Sequence, residues 1–442
     1  MATVSRVLKR IKHDLQPFVQ DAEIRAACQQ VGHRWRNRLL DPVVTVQLFV
    51  LQILHANTAL SHLRHLAQYP VKPAAFCKAR MRLPLAVLQG LLAKTAAAAR
   101  TQTLPATWNG LRAYLVDGSS TICPDSPALQ KAFGQPRNQK PGCGFPLPKL
   151  LGLFDACSGM ILELLVAPLY TADLTDTWRL HRLLQPGDLL VGDRAFCSFG
   201  HLAILAGQGL HGLFRLHQRM IVDFHPHRRS GGKGQPTSTF VKRLGKHDQI
   251  VDWQKPQARA RWMTPAQHKA LPATLRVREV RYHLPKKGQR TRLVTIATTL
   301  LDPGRYPKEQ ILELYAVRWT VETHFAELKT TLQMRQIKCK TVEGVKKELA
   351  VYCLVYNLVH AVMLAAAARQ QVDPLRISFL DTIRWLRSAP VGEDLPVLVV
   401  NPHRPNRHEP RVIKDLKDSY RKMVKARSIL KRELHLWGGR PK

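Results

Sequence analysis

Two aspartates in this chain stand where a short apolar segment ends. Asp117 follows the run AYLV and precedes Gly-Ser-Ser, and Asp193 follows LLVG and precedes Arg-Ala-Phe. Both runs are typical of buried strands. An acid at the carboxyl end of such a strand is held by a rigid element, while its side chain stays free to enter a crevice. The alternative for either residue alone is an aspartate that caps a turn or a helix.

A third acid, Glu322, lies in the segment 307–370, whose apolar spacing predicts helix. Tyr315, Arg318, Glu322 and Lys329 form a polar stripe beside the buried one, turned by roughly 100° at about 3.6 residues per turn. The buried stripe consists of Leu314, Val317, Val321, Phe325, Leu328 and Leu332. An acid with arginine one turn away and lysine two turns away suits a site that holds metal on the acid and phosphate on the bases. The alternative is a solvated helix face with ion pairs such as Arg318 with Glu322.

Together, Asp117, Asp193 and Glu322 predict a metal-dependent phosphodiester site. Three carboxylates supply hard oxygen ligands, which suit Mg²⁺ or Mn²⁺. Two such ions about 4 Å apart activate a water or a 3′-hydroxyl and stabilise the leaving oxygen in an in-line displacement. No side-chain nucleophile is then needed. Asp155 and Asp173 also lie near strand ends and are reserve candidates for the two aspartate positions.

The elements that would position these acids fall into five segments. They are an N-terminal helical segment, a first half of a catalytic core with most of the strands, a basic β-rich insertion, a second half of the core with long helices, and a basic tail. Their limits are 1–105, 106–218, 219–291, 292–385 and 386–442. The order predicts an α/β protein with a mixed sheet flanked by helices.

The net charge of the chain indicates which class of partner it binds. The chain has 68 Lys and Arg against 31 Asp and Glu, a formal net charge of +37. A surplus of this size repels itself, and DNA or RNA is the polyanion that would balance it. The alternatives are a soluble basic protein or one bound to anionic lipid. The spread of basic residues along the whole chain favours nucleic acid.

The sequence predicts neither export nor a membrane span. The N-terminus lacks the long apolar core of a signal peptide. The apolar stretch 351–367 is short and is interrupted by Asn357 and His360, so we expect a helix buried in the core. The eight cysteines include no C-x-x-C pair, which argues against a zinc ribbon or a redox motif. We expect a soluble, cytoplasmic protein with reduced cysteines.

The polar stripe from Tyr315 to Lys329 matches a known signature. The chain resembles the DDE transposases of bacterial insertion sequences, specifically the insertion-sequence-4 family, marked by Tyr-(2)-Arg-(3)-Glu-(6)-Lys. VDGSS around Asp117 and GDRAFCS around Asp193 resemble the two aspartate blocks of that family. Both aspartates in order with the four-residue signature make the match specific. Further similar stretches are FCKARMRLP, GQPRNQKPGCGFPLPKLLGLFD and VYCLVYNLVH, so the resemblance covers about residues 30 to 370.

The resemblance implies a ribonuclease H-like catalytic fold with a β-rich insertion between the second aspartate and the glutamate. It implies Mg²⁺-dependent cut-and-paste transposition, in which the element ends are nicked, pass through a hairpin and are joined to target DNA. The two metal ions would be held by Asp117, Asp193 and Glu322. The phosphates at the cleaved end would be held by Tyr315, Arg318 and Lys329. Such proteins work as a homodimer on double-stranded DNA, and the N-terminal helices are expected to bind the terminal inverted repeats.

Two other functions stay open on the sequence. A catalytically silent DNA-binding protein derived from a transposase would keep the basic surface, although the intact acids argue against decay. A metal-dependent nuclease that cuts without joining would use the same chemistry. Around Glu322, Trp319 is a candidate contact to bases or phosphate, His324 is expected to pack or cap, and Glu327 is expected to be structural.

Overall fold

A single mixed sheet of nine strands, with helices on both faces, organises the computed structural model within the residues that it describes: 20–36, 38–67, 70–102, 108–231, 234–283, 293–388, 394–402 and 423–436. The predicted mixed sheet flanked by helices is therefore confirmed. The N-terminal stretch 1–19, residues 284–292 at the end of the predicted insertion and residues 403–422 of the predicted tail lie outside the described part of the chain.

The sheet consists of strands from the middle of the chain. In chain order these are β1 (Ala113–Ser120), β2 (Lys149–Asp155), β3 (Ile161–Ala167), β4 (Leu189–Gly192), β5 (His211–Arg215), β6 (Thr239–Gly245), β7 (Asp248–Gln254), β8 (Thr274–His283) and β9 (Leu293–Thr298).

The α-helices lie before, between and after the strands. In the described ranges they are α1 (Asp21–Gln30), α2 (Pro42–Leu54), α3 (Leu63–Ala67), α4 (Pro73–Arg82), α5 (Leu85–Gln102), α6 (Pro127–Phe133), α7 (Asp173–Thr177), α8 (Phe199–Gly207), α9 (Pro265–Ala270), α10 (Lys308–Val317), α11 (Thr320–Ala326), α12 (Val342–Gln370), α13 (Phe379–Ser388) and α14 (Arg427–Leu436). A short 3₁₀ helix, Trp178–Leu183, continues α7, and another, Pro374–Arg376, precedes α13.

The strand order is β3-β2-β1-β4-β5-β9-β8-β7-β6. β1, β4 and β5 run parallel to one another, whereas β2 is antiparallel to β1 and β3 is antiparallel to β2. Beyond β5 every neighbouring pair is antiparallel. The strands that fall within 219–291, β6 to β8, therefore extend the same sheet through β9.

The central strands are buried on both faces, which is why their sequences read as continuous apolar runs. In β1, Leu115 belongs to one buried cluster, which also contains the N-terminal helices and α12, while Tyr114 and Val116 belong to the cluster on the opposite face with α8. Because successive side chains of β1 point to opposite faces of the sheet, this strand contributes to both buried clusters.

α12 is the central helix of the larger core. Thr341 caps it by accepting a hydrogen bond from the Gly344 amide, and it packs against α2, α5 and β3. Its length and apolar composition would suffice to cross a membrane, but 89% of its most apolar window is buried inside the protein. This burial agrees with the predicted core helix over 351–367.

The prediction of helix from residue 307 to about 370 is wrong in two places. The helix breaks at residues 318–319, where the Thr320 hydroxyl donates to the Val317 carbonyl at 2.7 Å. It ends again after a π-helical turn, Glu327–Thr331, with Gln333 at a positive φ of 66°. The hydrogen bond of Thr320 and the left-handed conformation of Gln333 interrupt the helix where the apolar periodicity predicts that it continues.

Candidate active site

Asp117 lies on β1, and Asp193 directly follows the end of β4, the parallel neighbour of β1. Val116 of β1 is in register with Gly192, the last residue of β4. β1 continues to Ser120 along β2, so the strand extends beyond Asp117, which the sequence placed at its end. The crevice beyond the carboxyl end of β4 is the place where open α/β sheets hold ligands.

Short hydrogen bonds within the chain orient both aspartates. The Gly118 amide donates to Asp117 Oδ1 at 2.7 Å, and the Ala195 amide donates to Asp193 Oδ1 at 2.7 Å. Each carboxylate therefore keeps its second oxygen for another partner. Such turn bonds were the ordinary alternative for both residues, and they coexist here with the approach of the two acids.

Arg318 reaches the same crevice from the break between α10 and α11. Its Nη1 lies 3.8 Å from Asp117 Oδ2, and the two side chains are 9% and 23% exposed. Glu322 is exposed in the first turn of α11, which packs against β1.

The pKa of Asp117 is affected by burial and by the charges of Asp193, Arg318 and Glu322. It is raised from 3.8 to about 6, first by burial and then by the negative charges of Asp193 and Glu322. The Gly118 amide and the Arg318 guanidinium lower it but do not compensate. A partly buried Asp117 therefore feels the charges of both other acids, and a bound dication would relieve that repulsion.

Lys329 lies beside the next residues of β1. Its Nζ donates to the Ser119 hydroxyl at 3.2 Å, and burial lowers the pKa of the ammonium group. Close packing also surrounds Gly118, because a Cβ at that position would lie 2.8 Å from Asp173 Oδ1. Asp173 in turn is paired with Lys149 at 2.7 Å.

Tyr315 and Trp319 border Arg318 in different ways. Tyr315 is buried, and burial raises its pKa, although the nearby Arg318 lowers it in part through a hydrogen bond. Trp319 is 53% exposed, and its ring centroid lies 4.8 Å from the Arg318 Cζ. The Tyr315 ring centroid lies 5.7 Å from the same Cζ, and of these two rings only that of Trp319 is exposed.

The reserve candidates lie elsewhere or in a supporting position. Asp155 is buried, pairs with Arg112 at 2.7 Å and accepts the amides of Cys157 and Ser158, so it stabilises the turn between β2 and β3. Asp173 packs on Gly118 without a contact to the three acids among the interactions described.

The signature residues do not lie on one uninterrupted α-helix. The break at residues 318–319 lies between Tyr315 and Glu322, and Lys329 lies within the π turn, in which the Leu332 amide donates to Glu327 O at 2.9 Å. A π turn inserts one extra residue and often marks a functional site. Sequence spacing also missed Ser119 and the Lys149–Asp173 pair, because both depend on contacts distant in the chain.

The fold and this site define a class: an α/β protein in which two aspartates stand at neighbouring parallel strands, with a glutamate on a helix that packs against one of them. Residues 108–358 match the transposase DDE domain family. The chain belongs to that family, and the predicted DDE transposase of the insertion-sequence-4 family is confirmed.

A curated relative and a solved structure accompany this match. The chain is 27% identical over 370 residues to the transposase InsG for insertion sequence element IS4 of Escherichia coli (strain K12), covering 78% of this chain and 77% of the relative. The piggyBac transposase in a synaptic complex with hairpin DNA is 10% identical, with a TM-score of 0.44 and coverage of 86% of this chain and 80% of that one.

Proposed function

We propose that this transposase cleaves the ends of its insertion sequence and joins them to target DNA at Asp117, Asp193 and Glu322. The observation that carries the proposal is the placement of Asp117 and Asp193 at neighbouring parallel strands, with α11, which bears Glu322, packed against β1. The raised pKa of Asp117, caused first by burial and then in part by the charges of Asp193 and Glu322, agrees with this placement. Transposase DDE domains use divalent metal ions, and this donor set fits Mg²⁺ or Mn²⁺ because it consists of hard carboxylate oxygens.

The three acids would hold two Mg²⁺ or Mn²⁺ ions. When bound, the ions would activate the attacking hydroxyl and stabilise the leaving oxygen. Arg318 limits the repulsion at Asp117 and presents its guanidinium to a phosphate in the crevice. Lys329, held beside β1 by Ser119, presents a second positive charge. The Tyr315 ring centroid lies 5.7 Å from the Arg318 Cζ, and a contact of Tyr315 to phosphate stays a prediction.

The surrounding elements suggest how DNA is engaged. The strand order β3-β2-β1-β4-β5, with β2 alone antiparallel to both its neighbours, supports a ribonuclease H-like core spanning 106–218 and 292–385. We propose that the helices of segment 1–105 bind the double-stranded terminal inverted repeats. The basic insertion 219–291 would make additional DNA contacts. Assembly as a homodimer that pairs two ends, a hairpin intermediate and a cytoplasmic location complete the proposal.

A comparison of wild type with Glu322→Gln tests this function. The substrate is a plasmid that carries the element's own ends, in Mg²⁺, with DNA binding measured in parallel. We expect the variant to bind the ends normally but to lose excision and joining by at least about 100-fold, because a metal ligand that stabilises charge in the transition state is lost. Glu313→Gln is the matched control, since Glu313 is an exposed acid on α10.

Each outcome separates the candidate functions. Excision and joining by the wild type and by Glu313→Gln alone support the transposase. Binding without cutting by all three proteins identifies the catalytically silent DNA-binding protein instead. Cutting without joining identifies a nuclease.

A further inference from the structure

A second group of side chains of metal-ligating types lies on α11, on the π turn that follows it and on α12. His324 lies in α11, Glu327 begins the π turn and His360 lies in α12. One ligand atom from each of the three lies within 4.8 Å of the others. The two histidine side chains are 3% and 2% exposed and that of Glu327 is 17% exposed.

The spacing inside this cluster is too long for hydrogen bonds and suits a shared ion. His324 Nδ1 lies 3.6 Å from Glu327 Oε2, and His360 Nε2 lies 3.5 Å from the same oxygen. Hydrogen bonds between nitrogen and oxygen are commonly about 2.7–3.2 Å long. Two ligands each about 2.1 Å from a tetrahedral ion are about 3.4 Å apart.

The hydrogen bonds of His360 leave its second nitrogen available. Its Nδ1 lies 3.0 Å from the Ser158 carbonyl, to which it donates, and its buried Nε2 has no hydrogen-bond partner. A neutral imidazole in this state directs a lone pair at the Glu327 carboxylate, which is repulsive unless a cation lies between them. A backbone carbonyl that fixes the other ring nitrogen is the usual support of a metal-binding histidine.

Charge also favours a cation at this place. The side chain of Glu327 is only 17% exposed, and a buried carboxylate charge is costly without a positive partner. No Lys or Arg pairs with Glu327 in the described ranges.

Tyr356 completes the surroundings. Its hydroxyl lies 2.9 Å from His324 Nδ1 and 3.3 Å from Glu327 Oε2, and it can donate instead to the Gly159 carbonyl at 3.1 Å. When the Tyr356 hydroxyl donates to the Gly159 carbonyl, His324 Nδ1 and Glu327 Oε2 are both free to bind an ion. The close packing of Gly159 on both rings keeps them in place, since a Cβ there would lie 2.6 Å from His360.

We propose that His324, Glu327 and His360 form a structural site for one transition-metal dication of the Zn²⁺ class, separate from the carboxylate crevice. Two imidazoles and one carboxylate suit Zn²⁺ or Co²⁺ better than Mg²⁺. The ion would join α11, the π turn, α12 and the turn between β2 and β3, and so fix the helix that carries Glu322. The site does not depend on the proposed transposition chemistry.

The test measures metal on the full chain, prepared without a histidine tag and stripped with a chelator. Co²⁺ is the probe, because four-coordinate Co²⁺ absorbs visible light. The background is the double variant Asp117→Asn, Glu322→Gln, which removes ligands of the carboxylate crevice and makes the result independent of catalysis. We expect one equivalent of Co²⁺ with ligand-field absorption, displaced by Zn²⁺ and not by excess Mg²⁺.

Replacing one ligand decides whether this cluster is responsible. His360→Gln in the same background should weaken Co²⁺ binding by more than about tenfold, while His201→Gln, which changes another buried histidine, should leave it unchanged. Absence of a Mg²⁺-resistant Co²⁺ equivalent, or equal binding by the His360 variant, overturns the proposal and identifies a proton shared by imidazole and carboxylate. If His360→Gln does not fold, anomalous diffraction from Zn²⁺-soaked crystals of the unmodified chain decides, and an ion located elsewhere overturns the proposal.

Discussion

The Arg318 guanidinium lies 3.8 Å from the Asp117 carboxylate, although 201 positions separate them in a chain whose helix breaks at that arginine. This cation is the group in the crevice that opposes the charges of Asp193 and Glu322 on Asp117. The pair therefore links the ionisation of a strand-borne acid to the geometry of a helix break.

Arg318→Gln should make metal binding more sensitive to acid. Since Arg318 lowers the pKa of Asp117, its removal raises that pKa, and protons then compete with metal at higher pH. The midpoint of Mn²⁺ binding, measured by calorimetry across a pH series, should move upward. Arg194→Gln serves as the control, because Arg194 is exposed and bonds Gln218 instead. An unchanged midpoint in the Arg318 variant would contradict the electrostatic role.

Asp117→Asn should stabilise the metal-free protein at alkaline pH. The folded pKa of about 6 exceeds the ordinary 3.8, so ionisation disfavours the folded state, and the cost grows between these two pH values. Above them it amounts to at most about 3 kcal/mol, since one pKa unit is about 1.36 kcal/mol.

Urea unfolding in chelator is the measurement for that change. The variant should be more stable than wild type at about pH 8 and nearly equal at about pH 4, where the carboxylate is largely protonated in the folded state. Added Mn²⁺ should stabilise the wild type more than the variant. A variant less stable than wild type at both pH values would show that Asp117 is a structural residue.

Gly118→Ala should impair the crevice more than the fold. The added Cβ would meet Asp173 Oδ1 at 2.8 Å, so the Asp173 carboxylate, which is paired with Lys149, must move away beside Asp117. We expect excision to fall by about tenfold or more, since a small misplacement of catalytic groups has effects of this size. Gly90→Ala is the control, because a Cβ on α5 at that position meets nothing within 4 Å. Equal excision by both variants would exclude this constraint.

Lys329→Gln should reduce the salt dependence of binding to the element ends. If Lys329 contacts one phosphate, the slope of log K against log salt should fall in magnitude by about one. The loss of affinity should be similar for different DNA sequences, because a phosphate contact carries no base information. Titration of wild type and variant over a salt series provides the slopes. Equal slopes would place Lys329 away from the DNA backbone.

The sequence alone determined the local features. Apolar runs predicted the strands before Asp117 and Asp193, and periodicity predicted the helices around Glu322, because burial imposes these patterns on neighbouring residues. The spacing of Tyr315, Arg318, Glu322 and Lys329 pointed to the family, since a signature is a property of the chain itself.

Only the tertiary structure decided which distant groups meet and where the helices stop. Three features depend on contacts between residues far apart in the chain. They are the end of β4 beside Val116, the ion pair of Arg318 with Asp117 and the burial of Glu327 between two histidines. Side-chain hydrogen bonds at Thr320 and the π turn at Glu327 interrupted a continuous helical pattern. Periodicity records which residues avoid water, whereas the competition between backbone and side-chain hydrogen bonds is settled only when the chain has packed.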